Sequence, residues 1–340
     1  MMSNQRIFYL HKWIGFSFNC ISFSTSSMLL YLVLKKSRKM PNIRPILLAG
    51  AVIDFTYSLL NLCANHMFIV SDKSLLLLTD PMLPFPQIIC DAILVIGGFF
   101  VALSWLTVPV QYNYRLYIIK HGSAPPWSLL LIQATMVLIM SSIGTYLIYF
   151  VYFVGKDAAL VSNVMELMKI DFDENLVFGK KFESPPMQIY FAYFSLMSTL
   201  ALINIVIADR KIRQNLKAKE SIMGKRTKKL HAELSKALFV MAISPVFSSF
   251  SQVIYISVAL NRTGGSLFPD VVSSMLATSA PLINSVTTMY FVRPYRLFFI
   301  RLIRGGFESS SVEVYVNNTH THPLTITNRP RQSSLFQKDS

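Results

Sequence analysis

The sequence predicts an all-α integral membrane protein: a bundle of seven transmembrane helices, amino terminus outside the cell, carboxy terminus in the cytoplasm. Three observations predict it. The chain is too apolar for water, it holds seven long runs poor in charge, and its basic residues gather on one side of those runs. Of 340 residues, 53% are apolar and 14% charged. A soluble protein carries about a quarter charged residues. Helices apolar all round belong in a large interior or in lipid.

A helix needs about 20 apolar residues to cross the bilayer core. Seven candidates occur along the chain. The first is Trp13–Leu34, free of charge. The second, Pro45–Ile69, contains Asp54, and the third, Ile88–Val110, contains Asp91 near its start. The fourth to seventh are Ser128–Val154, Gln188–Ala208, Ala237–Leu260 and Val271–Val292, none with an ionisable charge. The first run is long enough to span and lacks a small-residue cleavage site after it, so it reads as a membrane helix and not a signal peptide. Residues 1–304 form one seven-transmembrane domain by this reading, and 305–340 a polar tail too poor in apolar residues to fold.

Charge sets the orientation. The net charge is +15, from 32 basic and 17 acidic residues. The loops after the first, third and fifth runs and the tail hold 24 of the 32 bases; the other side holds eight bases and nine acids. Short basic loops stay in the cytoplasm, where anionic lipid attracts them. The bases flank apolar runs, so membrane lipid and not nucleic acid is the expected partner. Cys20, Cys63 and Cys90 lie in or beside apolar runs and supply no disulfide framework.

Asp54 is the most informative residue. An acid at mid-membrane depth costs several kcal/mol unless solvated, paired or protonated, so it faces the bundle interior. Asn61 and Asn65 lie about two and three turns on, with Asn19, Asn204 and Asn284 on other runs. Two readings stand: a polar centre that rearranges between two packings, or a static clamp between helices. Asp91 reads either as a ligand contact at the outer end of the third run or as an interfacial acid. Arg115, flanked by Tyr114 and Tyr117, reads either as a releasable tie between helix ends or as a positive-inside anchor.

Lys225, Arg226, Lys228 and Lys229 begin a basic amphipathic stretch running into the sixth run, where Pro245 is expected to kink the helix. After the seventh run, Arg293 to Arg304 mixes arginines with Leu, Phe and Ile around Pro294, Tyr295 and Arg296. This suits a short helix lying flat on the inner leaflet. Asn261 heads a glycosylation sequon on an outer loop, close to the membrane. The six histidines form no metal spacing. No phosphate-binding glycine loop or serine elbow is present, so neither cofactor nor enzyme activity is expected.

Three stretches carry a resemblance. Tyr114-Arg115-Leu116-Tyr117 resembles the signature at the inner end of the third helix in nematode serpentine chemoreceptors of the Str superfamily. Thr227 to Phe247 is similar to that superfamily's junction into its sixth helix. Tyr290 to Arg296, YFVRPYR, resembles the seventh-helix ending of its class d (Srd) members. The resemblance implies a G-protein-coupled chemosensory receptor in the plasma membrane, including that of sensory cilia. It would bind an odorant, pheromone or peptide and activate a heterotrimeric G protein. The chain departs from rhodopsin-like receptors in lacking an acid before Arg115, an Asn-Pro pair at Asn284, and a Trp before Pro245. Ligand at the outer halves, walled by Asp91 and the long loop Gly155–Met187, would favour a packing that opens a cleft between Arg115 and the basic stretch. A transporter or ligand-gated channel is the alternative, but the chain has no internal repeat and one mid-membrane charge.

Overall fold

The computed structural model describes residues 4–37, 43–71, 73–79, 85–154, 162, 177–218, 240, 251, 253–255, 257–258 and 268–303. The sixth run lies mostly outside these residues. So do Lys225, Arg226, Lys228, Lys229, Pro245, Asn261 and the tail. Contacts divide the chain into two units, Met1–Ile300 and Arg301–Ser340. The described helices and strands belong to the first, save for residues 301–303.

Helix α1 (Asn4–Lys36) contains the whole first apolar run and extends beyond it at both ends. Helix α2 (Arg44–Ala64) starts on Pro45, whose missing N–H costs nothing at a first turn. The apolar run continues to Ile69, but the helix does not. Asn65 takes a left-handed conformation, φ 42°, and its N–H closes on the Asn61 carbonyl. Asn tolerates that geometry and so ends helices. The chain then turns back on itself as strands β1 (His66–Ser71) and β2 (Ser74–Thr79), paired antiparallel about Lys73. The helical bundle therefore carries a feature that the apolar pattern hid.

Helix α3 (Gln87–His121) is 35 residues long and outlasts the apolar run that predicts it. Pro109 lies inside it and removes one backbone hydrogen bond. Gly122, φ 76°, caps it. Helix α4 (Trp127–Tyr152) buries few residues. Its other side displays Trp127 (84% exposed), Leu131 and Ile132, a face that suits lipid and not water. Strand β3 (Val177–Lys181) pairs antiparallel with β2, completing a sheet in the order β1-β2-β3. At Gly179 an added Cβ would meet the Leu75 carbonyl oxygen at 2.6 Å, so only glycine lets the strands close.

Helix α5 (Pro185–Ala218) continues ten residues past the predicted end of the fifth run. The seventh run is two helices, α6 (Phe268–Thr278) and α7 (Ala280–Phe291), broken at Ser279. Pro281 near the start of α7 withholds its N–H, and the hydroxyls of Thr278 and Ser279 bond back to the preceding turn. Helix α8 (Arg293–Ile303) comes directly after. In α8, Tyr295 is fully buried and its hydroxyl meets Ser37. Phe298 packs beside Tyr31, with Leu297, Phe299 and Ile300 exposed.

Packing reflects this order. Helix α3 touches α2, α4 and α5, while α1 and α2 both touch α7. One apolar cluster joins the sheet to α3, α4 and α5 through Val70, Leu77, Trp105, Ile148, Phe178 and Phe194. At the other end of the helices, Val108, Tyr112 and Ile205 join α3 to α5. Leu32, Met289 and Tyr295 join α1 to α7 and α8.

Candidate functional site

Beneath the sheet lies a cavity of about 100 Å³. Its roof is Phe68 of β1 with Leu75 and Leu77 of β2. Helix α3 supplies Leu94, Gly97, Gly98, Val101 and Trp105; α4 supplies Ile148 and Tyr152; α5 supplies Tyr190, Phe191 and Phe194. Tyr57 and Asn61 of α2, Ser251, Tyr255, and Ala277 and Thr278 close the remaining side.

The two adjacent glycines of α3 differ. A Cβ on Gly98 would meet the Ile148 side chain at 2.5 Å, so α3 and α4 approach closely there. A Cβ on Gly97 would meet nothing within 4 Å, although the residue is buried. The empty space beside Gly97 is the cavity.

The roof is fastened to the helices by polar contacts. The Phe68 N–H donates to Ser274 Oγ at 2.9 Å, and the Val70 N–H donates to Asp270 Oδ1 at 3.2 Å. Both acceptors stand on α6 and are buried. The free edge of β1 is thus paired with side chains, which satisfies donors a bare edge would leave open. Phe153 packs on Phe178, and Phe182 on Phe191, at the α4 and α5 sides. His66 Nδ1 lies 3.3 Å from Thr79 Oγ1 across the hairpin. Burial holds its imidazole down at about 4, so the ring is neutral near pH 7.

Asp54 is buried on α2, and Asn284 Nδ2 of α7 donates to its Oδ1 at 3.1 Å. Asn19 Nδ2 of α1 donates to the Asn61 carbonyl at 3.1 Å and reaches Asn65 Oδ1 at 3.4 Å. Ser26 and Ser285 meet at 3.0 Å. These contacts tie α1, α2 and α7 through polar groups in a bundle where lipid offers none. Asn204 is not part of this. It is exposed on α5, outside the packed positions Ile205 and Ala208.

Tyr114 and Arg115 are buried near the far end of α3. Tyr117 is half-buried and stacks on His121 with ring centroids 4.1 Å apart. Tyr112 and, more weakly, Asp209 of α5 act electrostatically on Arg115. Asp209 also pairs with Arg213 at 2.7 Å. Pro294 and Arg296 are half-buried on α8. Asp91 is half-buried and is not among the residues that line the cavity. It stands one turn above Leu94, towards the start of α3. Among the described residues no cluster of His, Cys, Asp or Glu could hold a metal.

The sequence singled out charges and missed the cavity. Tyr152, Tyr190, Gly97 and Trp105 sit in apolar runs where an aromatic or a glycine has no distinguishing neighbour. Asp209 could have been found, as the acid at the end of the fifth run.

Five described helices are long and apolar enough to cross a membrane: Arg6–Lys36, Arg44–Ala64, Gln87–His121, Trp127–Tyr152 and Pro185–Ala218. Squid rhodopsin superposes with a TM-score of 0.53 at 15% identity, covering 90% of this chain and 82% of that one. The fold is that of a multi-pass, seven-helix membrane protein.

The family model for serpentine type 7TM GPCR chemoreceptors, Srd, matches residues 12–301, and the chain belongs to this family. Serpentine receptor class delta-18 of Caenorhabditis elegans is 27% identical over 204 residues, 58% of this chain and 59% of that one. Serpentine receptor class delta-19 of the same organism is 25% identical over the same shares. The alignments thus span about three-fifths of these relatives. The family is one of receptors and not of enzymes.

Proposed function

We propose that the chain is a chemosensory receptor of the plasma membrane that binds a small external chemical beneath the sheet and activates a heterotrimeric G protein at the opposite end. The sheet faces outward and the tail faces the cytoplasm. Basic residues gather at the end of the bundle remote from the sheet, and short basic loops remain inside.

One observation carries the reading: a single helix serves both ends. Helix α3 lines the cavity from Leu94 to Trp105 and carries Arg115 further on. From Gly98 to Arg115 is roughly 25 Å at the helical rise. A ligand that binds one packing of α3 better than another shifts the population at Arg115, and a hundredfold preference is worth about 2.7 kcal/mol. The cavity suits a small molecule and has no room for a peptide chain. Tyr114, Arg115 and Tyr117 form the coupling face, and Lys225, Arg226, Lys228 and Lys229 are assigned to coupling by their charge and place in the sequence. Asp54, Asn61 and Asn284 form the polar centre that holds the seventh span.

The test is nucleotide exchange on a purified G protein by purified receptor with a pool of candidate chemicals. Ligand-dependent exchange that Arg115→Ala abolishes is the expected result. Ligand-dependent ion current without G protein, and no exchange, would refute it in favour of a channel.

A further inference from the structure

The geometry points to an electrically neutral, largely apolar ligand with a hydrogen-bond acceptor that the Tyr152 hydroxyl engages, its size limited by the space beside Gly97. This deepens the proposed receptor reading and rests on the cavity being the ligand site.

Charge is the first argument. No Asp, Glu, Lys or Arg lines the cavity among the described residues. The stretch 237–260, which supplies Tyr255, contains none either. His66 is neutral near pH 7. A buried ammonium or carboxylate needs an opposite charge or several strong partners, and desolvation excludes it otherwise. The walls therefore select against ions.

Hydrogen bonding is the second. Most polar groups at the cavity are already engaged. The Tyr57 hydroxyl donates to the Ala277 carbonyl at 3.3 Å. Thr278 Oγ1 donates to the Ser274 carbonyl at 3.1 Å, and His66 pairs with Thr79. Tyr152 differs: it is 2% exposed and its hydroxyl has no hydrogen-bond partner among the described residues, while the Tyr255 hydroxyl, which also has none, lies against Ser274. A buried hydroxyl left open is costly, and one that lines a cavity is answered by what fills the cavity. Tyr152 can donate to a carbonyl, ether or hydroxyl oxygen while the Leu, Val and Phe walls hold the rest.

Size is the third. At Gly97 an added Cβ would enter open space and not a neighbouring helix. Substitution there narrows the site without disturbing the α3–α4 contact, which Gly98 makes.

The test heats the purified full-length receptor with ring compounds matched for size. Cyclohexanone and acetophenone are the neutral acceptors; methylcyclohexane and ethylbenzene lack the acceptor; cyclohexylammonium and benzoate are the ions. The unfolding midpoint is read at millimolar compound. The two ketones are expected to raise it and the ions to leave it unchanged. Tyr152→Phe, which keeps the ring, should weaken the ketones by about tenfold, to the level of the acceptor-free rings. Gly97→Ala should lose acetophenone before cyclohexanone. A larger shift from either ion overturns the proposal. So do ketone binding that Tyr152→Phe leaves intact and no shift from any compound. Binding is read without G protein, so a failure of coupling shows separately, as intact ketone shifts with no nucleotide exchange. Midpoints of the unliganded variants reveal any that fail to fold, and for such a variant the other substitution decides.

Discussion

At the scale of single residues, the polar contacts carry testable weight. Asp54 and Asn284 are buried partners on different helices. Asp54→Ala leaves the Asn284 amide without its acceptor, a loss of about 1–3 kcal/mol. The thermal midpoint of the purified receptor should fall, while Asp54→Asn should retain most of it. Asp209 bears on the proposed switch, since its carboxylate acts on Arg115 and holds Arg213. If that field restrains α3 against α5, Asp209→Asn should raise basal nucleotide exchange several-fold without ligand. An unchanged basal rate would remove Asp209 from the switch. Asp54 was legible in the sequence because a charge within an apolar run must find a partner. The partner was less so: Asn204 and Asn284 look alike as letters, yet one is exposed and the other reaches Asp54. The face a side chain occupies depends on helix rotation, which packing sets. Tyr152 carried no signal at all, since an aromatic in an apolar run is ordinarily just core.

Among the elements, the sheet is what the sequence concealed. The stretch Leu75–Leu78 is too short to span and lacks strict alternation, and short apolar runs do not distinguish strand from helix. All of β2 is buried because helices lie beneath it and strands flank it on both edges. Its attachment makes a prediction. Replacing Asp270 and Ser274 together by Ala removes both acceptors of the β1 edge. Amide exchange across His66–Ser71 should then accelerate, while exchange in α3 stays slow; protection of β1 equal to wild type would show the contacts to be dispensable. His66 adds a pH dependence. Its folded value is about 4 against an ordinary 6.5, so the unfolded chain takes up the proton first. Stability from this group is intact above about pH 6.5 and is lost as pH falls towards 4. His66→Gln should flatten that part of the midpoint-against-pH curve. The break at Ser279 was half legible: Pro281 was visible in the seventh run, but its neighbours are apolar or small and the run is continuous by hydropathy.

For the whole molecule, hydropathy and charge were the informative properties, because a bilayer imposes length and orientation on any chain that crosses it. The proposed orientation predicts that an antibody reaches an epitope tag at Ser340 only after permeabilisation; labelling of intact cells would invert the assignment. The cavity was not legible at this scale, since it arises where several helices and a hairpin happen to leave space. The sheet that covers it also constrains manufacture. Strands β1 and β2 leave the ribosome about a hundred residues before β3, a delay of about 5–20 s at ordinary elongation rates. Through that interval the leucine-rich hairpin waits for its third strand, and it waits longer still for the α6 side chains that bind its other edge. Nascent chains stalled between the two events should therefore be the ones that chaperones of the secretory membrane retain.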